Sequence, residues 1–311
     1  KAVPRRFLQV LSGPERPPFT QGSGRLELAR AIASADNPLT ARVLVNRVWL
    51  HHFGAGLVRT PSDFGLRSEP PSHPELLDWL AARFIAEGWS LKRLHRLILL
   101  SNTYQQRSDL RPDGQHRDPQ NLLLWRQNRR RLDFEAMRDA LLSVSGQLDR
   151  TMGGRPVPIT TEPSTPRRTV YGFIDRQNLD GLLRTFDFAS PDSSAPMRFV
   201  TVVPQQALFL MNSPFVAEQA RYFARRPEVA TAEGSADRIR ALYRLAFGRS
   251  PAPRELTLAR QFLEAATAAA ERPRGDAPAG SQSQGPAPEL LSPLEALAQV
   301  LLQTNEFLYV D

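Results

Sequence analysis

A chain of 311 residues with 41% hydrophobic content can bury a sizeable core, as one large domain or two smaller ones. Its formal net charge of +8 and pI near 10.6 suggest nucleic acid, yet only Lys1 and Lys92 are lysines among the 40 basic residues. The arginines scatter in short groups such as Arg129-Arg130-Arg131, and no basic helix interleaves with aromatics, so solvated arginine faces account for the charge and no nucleic-acid partner is expected. The lack of cysteine excludes disulfides, thiolate metal sites and haem attached within the chain.

No apolar run approaches the roughly 18 residues of a membrane span, so membrane insertion is not expected. The sequence starts at Lys1 without an initiator Met or a charged-then-apolar leader, and Lys1 is expected to lie inside a longer protein. Residues 1–24 read as an irregular lead-in. The stretch NPLTARVLVNRVWLHHFGAGLVRTPSDFG, residues 37–65, then forms a helix that stops at Phe53-Gly54 and enters a long loop. Ser72-His73-Pro74-Glu75 reads as a capping box before the stripe Leu76, Leu77, Leu80, Phe84, Ile85. Ser90 opens a helix with Leu91, Leu94, His95 and Ile98 on one face, and Phe134, Met137, Leu141 and Val144 mark another that ends at Gly146.

The middle of the chain is proline-rich, and its β-like runs Arg168 to Ile174 and Arg198 to Val203 are expected to pair as a small ribbon. Helices resume at Ser213-Pro214, again through Ile239, Leu242, Tyr243 and Ala246 to Gly248, and again after Pro253. Residues 272–288 (RPRGDAPAGSQSQGPAP) cannot pack and read as a flexible low-complexity insert. Ser292-Pro293-Leu294-Glu295 is a further capping box, so a last helix is expected to return to the body. The fold class is mainly α: an irregular multi-helix domain with long ordered loops and a small β ribbon, residues 1–311 forming a single module.

The strings GRLELARAI, NPLTARVLVNRVWLHHFGAGLVRTPSDFG, GWSLKRLHRLILLSNTYQQ, FDFASPD, TVVPQQALFLMNSPFV and LYRLAFGRSP resemble the planctomycete secreted domain one family. The resemblance runs from about Arg25 to Asp311. It implies the C-terminal part of a large exported bacterial protein, hence an extracytoplasmic place. It also implies upstream domains that often include a cytochrome-c-like one, so that any haem lies upstream and no cofactor is expected in this chain. The family has no established activity.

The polar residues allow two readings. Adjacent helical positions point about 100° apart, so His51 and His52 cannot both face one metal while the helix persists, and no metal site is assigned. Histidines in a last turn also suit the helix dipole. The loop 54–71 is longer than the ~12–15 residues usual for structureless connections, and Leu57, Val58, Phe64 and Leu66 are expected to anchor it. It carries Asp63 from the His52 end towards His73, although Asp63 equally suits a turn cap. A second irregular stretch, 185–206, holds Asp187, Asp192, Arg198, Gln205 and Gln206. The candidate catalytic residues are therefore Asp63, His73, Asp187 and Asp192, and the candidate binding residues His52, Arg198 and Gln205. The first function is a docking or binding module for an upstream domain, a cell-surface polysaccharide or a protein. The alternative is a metal-assisted hydrolase or lyase whose pocket the two loops form.

Overall fold

The structure, a computed structural model, describes residues 3–271 and 290–310. The insert expected at 272–288 lies outside the described residues. These are mainly α-helical, as the sequence stripes predict. They fall into two compact units, Lys1–Arg130 and Arg131–Val310, each with an apolar core of its own.

The first unit contains α1 (Gln9–Ser12), α2 (Arg25–Ile32), α3 (Thr40–Phe53), α4 (Pro74–Ala86), α5 (Leu91–Leu99), α6 (Asn102–Gln105) and α7 (Pro112–Arg117). The lead-in is more ordered than expected, since it holds α1 and an antiparallel bridge between Arg6 and Pro18. Val45, Trp49 and Phe53 of α3 pack with Leu77, Leu80 and Phe84 of α4 and with Leu94 and Ile98 of α5. Each is three or four residues from the next on its helix, which places them on one face, and each such burial contributes about 1.5–3 kcal/mol. Gly54 ends α3 in the left-handed region at φ 80° and donates its N–H to the Leu50 carbonyl. The capping box expected at Ser72–Glu75 does not form. Helix α4 begins at Pro74, so His73 takes the N-cap position and Ser72 lies one residue outside it, where its hydroxyl meets the His73 ring at 3.0 Å.

The loop 54–71 is ordered by one side chain. Asn46, fully buried in α3, accepts the Val58 N–H at 2.8 Å and donates to the Val58 carbonyl at 2.9 Å. Leu57 and Val58 are buried as expected, and Phe64 is half-buried. Leu66 is not an anchor. It stands fully exposed inside the turn that the Ser68 N–H closes on the Gly65 carbonyl, just after the turn closed by the Asp63 N–H on Thr60. Gly56 is required beside Asn46, because a Cβ there would lie 2.5 Å from the Val58 carbonyl oxygen and 2.8 Å from the Asn46 amide.

The second unit follows β1 (Arg130–Arg131) with α8 (Phe134–Ser145), α9 (Gly181–Thr185), α10 (Pro204–Asn212), α11 (Pro214–Ala224), α12 (Pro227–Ala230), α13 (Gly234–Phe247), α14 (Pro253–Ala270), α15 (Pro293–Leu302), α16 (Asn305–Leu308) and β2 (Tyr309–Val310). Helix α11 packs on α8 and α15 through Val216, Ala220 and Phe223, with Leu141, Ala298 and Leu302 buried in the same core. The final helix therefore joins the body, through a capping box in which Ser292 and Glu295 serve each other's backbone N–H. The small ribbon exists elsewhere than expected, as β1 paired with β2. Within 168–174, Thr169–Tyr171 wind a 3-10 turn, where the Asp139 carboxylate takes both the Thr169 N–H and hydroxyl at 2.7 Å, and Gly172 makes an isolated parallel bridge with Val157. Asp187 likewise takes the Thr201 N–H at 2.8 Å, leaving the run 198–203 extended but unpaired. Arg249 clamps the far end of the unit, its guanidinium bidentate to both Glu255 and Glu306 at 2.6–2.8 Å.

Two predictions follow from these bonds. Asn46→Ala leaves the buried Val58 N–H and carbonyl without partners, so denaturant unfolding is expected to show a loss of at least about 2 kcal/mol. Unchanged stability would mean that Asn46 does not hold the loop. The Arg249 guanidinium lowers the Glu255 carboxyl from 4.5 to about 2. Between those values the unfolded chain binds more protons than the folded one, so this contribution is complete above pH 4.5 and is lost as pH falls towards 2. Glu255→Gln should flatten that part of the acid-unfolding curve.

Candidate functional site

In the first unit the last turn of α3 sends its two histidines to different places. Val45, Trp49 and His52 recur at four and three residues, so His52 lies on the buried side of the helix while His51 stays exposed. His52 Nε2 meets Nδ1 of His95, from α5, at 2.8 Å. One ring must donate and the other accept, so the bonded pair holds at least one neutral imidazole as acceptor. The Tyr104 ring stands edge-on to His52 at 5.5 Å between centroids and also touches Phe53. Arg130 donates to the His51 carbonyl. Burial first, then the nearby His95, Arg130 and His51, push the His52 pKa below its ordinary value of 6.5.

The other candidates of this unit are held apart from that pair. Asp63 is exposed, its Oδ1 accepting the Gly65 N–H at 2.8 Å in a turn of its own, while its backbone carbonyl takes the Thr60 hydroxyl at 2.7 Å. That is the capping arrangement open to it from the sequence. Among the described residues the His73 ring bonds only to its neighbour Ser72, and no hydrogen bond or ring contact joins Asp63 or His73 to His52.

In the second unit Asp187 sits at φ 56°, a left-handed conformation that Asp tolerates better than most residues. Its carboxylate binds the N–H and hydroxyl of Thr201 at 2.8–2.9 Å. Arg198 is bidentate to Glu135 of α8 at 2.8 and 2.6 Å and lies 4.6 Å over the Phe188 ring. Asp192 is exposed and makes one long contact, 3.4 Å, with Arg176. Gln205 is exposed, and the neighbouring Gln206 is the buried amide. It donates to the Thr185 carbonyl at 2.8 Å, accepts from Arg131, and so holds the start of α10.

Tyr104 and Arg130 carried no signal in the sequence, while His95 is the packed histidine its stripe suggests and Gln206 belongs to the second irregular stretch as expected. For His95 the helical stripe gave its buried side but not its partner, which lies 43 residues earlier in the chain. No local spacing carries that information.

The His52 shift predicts a pH dependence. A histidine whose folded pKa lies below 6.5 is more readily protonated in the unfolded chain, so its contribution is full above 6.5 and is lost as pH falls through the folded value. His52→Gln should reduce the loss of melting temperature between pH 7 and pH 5, measured by scanning calorimetry. A variant with the same slope as the wild type would show that the pair does not carry it.

Comparison with known proteins matches residues 24–263 to the family described as PSD1, protein of unknown function (DUF1553). No curated protein and no solved structure matched. Since the match spans well over half of the 311 residues, the chain belongs to this family of unknown function.

Proposed function

We propose that residues 1–311 act as one docking module of a larger exported protein, binding an upstream domain of the same polypeptide, such as a cytochrome-c-like one. The observation that carries this reading is a run of exposed apolar side chains in the second unit. Phe199, Val200 and Val202 are 68–73% exposed on the extended strand-like segment, and Leu208 and Met211 are more than half exposed on the helix that follows. Leu208 and Met211 are three residues apart and share one face of α10. Large apolar side chains clustered in a short stretch on a soluble surface mark interaction sites more often than scattered single ones do. The segment that displays them is held from behind, by Asp187 on Thr201 and by Gln206 on Thr185 and Arg131, so it presents a fixed surface.

The hydrolase or lyase reading draws no support from the acids named for it. Asp63 caps a turn, Asp187 holds Thr201, and Asp192 faces Arg176. Extracytoplasmic placement, a haem-bearing upstream partner and a polysaccharide or protein ligand at the cell surface rest on the family resemblance alone.

The test is the double substitution Val202→Glu with Met211→Glu in the full-length parent. Both side chains are exposed, so the melting temperature of the module should stay within about 0.5 kcal/mol of stability. Hydrogen exchange over residues 198–211 should be slow in the parent and faster in the variant. Equal exchange in the two would overturn the docking surface.

A further inference from the structure

The second unit also contains a cleft that is independent of the docking surface proposed above. Its volume is about 250 Å³, and Leu179, Phe188 and Pro191 form its apolar part. Polar groups surround them: Arg184 from α9, then Gln177, Ser190 and the pair Arg176–Asp192. This is smaller than the roughly 300–1,000 Å³ of sites for drug-sized ligands, so it suits a body of one ring.

The arginines of this unit are mostly committed. Arg198 is bidentate to Glu135, Arg249 to two glutamates, Arg138 to backbone carbonyls and Arg226 to Glu228. Arg184 differs: among the described residues its guanidinium has no hydrogen bond, ion pair or ring contact, and it faces the cleft. The Gln177 amide is uncommitted in the same way, and the Ser190 hydroxyl only accepts a long bond, 3.4 Å, from the Asp192 N–H.

The geometry points to a binding site for a small hydroxylated carboxylate, of the class of an acidic sugar. A free guanidinium matches a carboxylate with two parallel N–H donors. Asp192 makes a dianion such as phosphate unfavourable beside it, and its carboxylate accepts a ligand hydroxyl instead. Gln177 and Ser190 each both donate and accept, as hydroxyl groups require. Leu179, Phe188 and Pro191 offer an apolar patch to the C–H face of a ring, while Arg198, held by Glu135, lies over one face of the Phe188 ring. The net charge of the lining, two arginines against one aspartate, favours a monoanion.

The test uses the full chain with D-glucuronate as probe, and D-glucose and inorganic phosphate as controls. Calorimetric titration and amide chemical shifts are read for the wild type and for Arg184→Gln, whose exposed position keeps folding intact. The expected result is glucuronate binding that shifts amides within 176–192, is weaker by roughly tenfold or more for glucose and phosphate, and falls by a similar factor in Arg184→Gln. Absent binding, equal binding of glucose or phosphate, shifts confined to residues outside 176–192, or an unaffected Arg184→Gln variant would each overturn the assignment.

Discussion

The irregular half of the second unit depends on one buried cation. Arg138, on α8, is almost wholly buried, yet among the described residues no carboxylate pairs with it directly. Its guanidinium donates to the carbonyls of Arg167 and Thr165 at 3.0 and 2.6 Å and to the Thr169 hydroxyl at 3.2 Å, with the Phe215 ring 5.1 Å away. Removing such a group from water costs several kcal/mol unless its donors are satisfied, so the segment 165–169 is tied to α8 as firmly as the arginine is to its own helix. Burial pushes the Arg138 pKa down, and the adjacent Asp139 partly offsets this. Asp139 in turn fastens Thr169 through its N–H and hydroxyl. Two neighbouring residues of one helix thus fix a proline-rich stretch that has little regular structure of its own.

The consequences pass outward by short hydrogen bonds. With Thr169 held, the 3-10 turn that follows brings Val157 alongside, its N–H donating to the Tyr171 carbonyl at 2.9 Å while its own carbonyl takes the Phe173 N–H at 2.8 Å. Ile159 is buried in the same core as Leu179 and Leu183, and a Cβ at Gly172 would lie 2.5 Å from its Cδ1 and 3.0 Å from the Thr169 carbonyl oxygen. From Leu179 the chain runs through α9 to Asp187, Phe188 and the extended segment 198–203. The cleft and the exposed apolar run follow in the chain from this segment and are held by bonds of their own, Asp187 to Thr201 and Gln206 to Thr185 and Arg131.

How much of this the sequence displayed depended on the range of the interaction. Helices with an apolar stripe and a terminating glycine were legible, as at Phe53-Gly54 and at Phe247-Gly248, where both glycines adopt φ near 70–80°. The Ser292–Glu295 box was legible because all its partners lie within four residues. The box at Ser72 was misread by one position, since Pro74 occupies the first helical residue and displaces serine from the cap. The ribbon was misplaced for a different reason. β-like composition records which residues tolerate an extended backbone, while Asp139 and Asp187, distant in sequence, decided which N–H groups were left to pair. The turn role of Asp63 was visible in Thr60-Pro61-Ser62-Asp63, whereas His52–His95 and Arg138–Thr165 were not, because their partners lie 43 and 27 residues apart in the chain.

The near-absence of lysine bears on function more than the net charge does. A lysine at 198 or 249 would offer one ammonium where the guanidinium makes two parallel bonds to a carboxylate, so the Glu135 clamp and the Glu255–Glu306 clamp need arginine's planar fork. Arg198 and Arg249 thus use their positive charges as internal struts. The functional content then lies in the arginines that the fold leaves uncommitted, because an unused fork at a cleft keeps the geometry for a carboxylate from elsewhere. By that criterion Arg184 is distinguished from Arg138, Arg198 and Arg249 by its lack of any partner within the described residues, even though all four belong to the same compact unit.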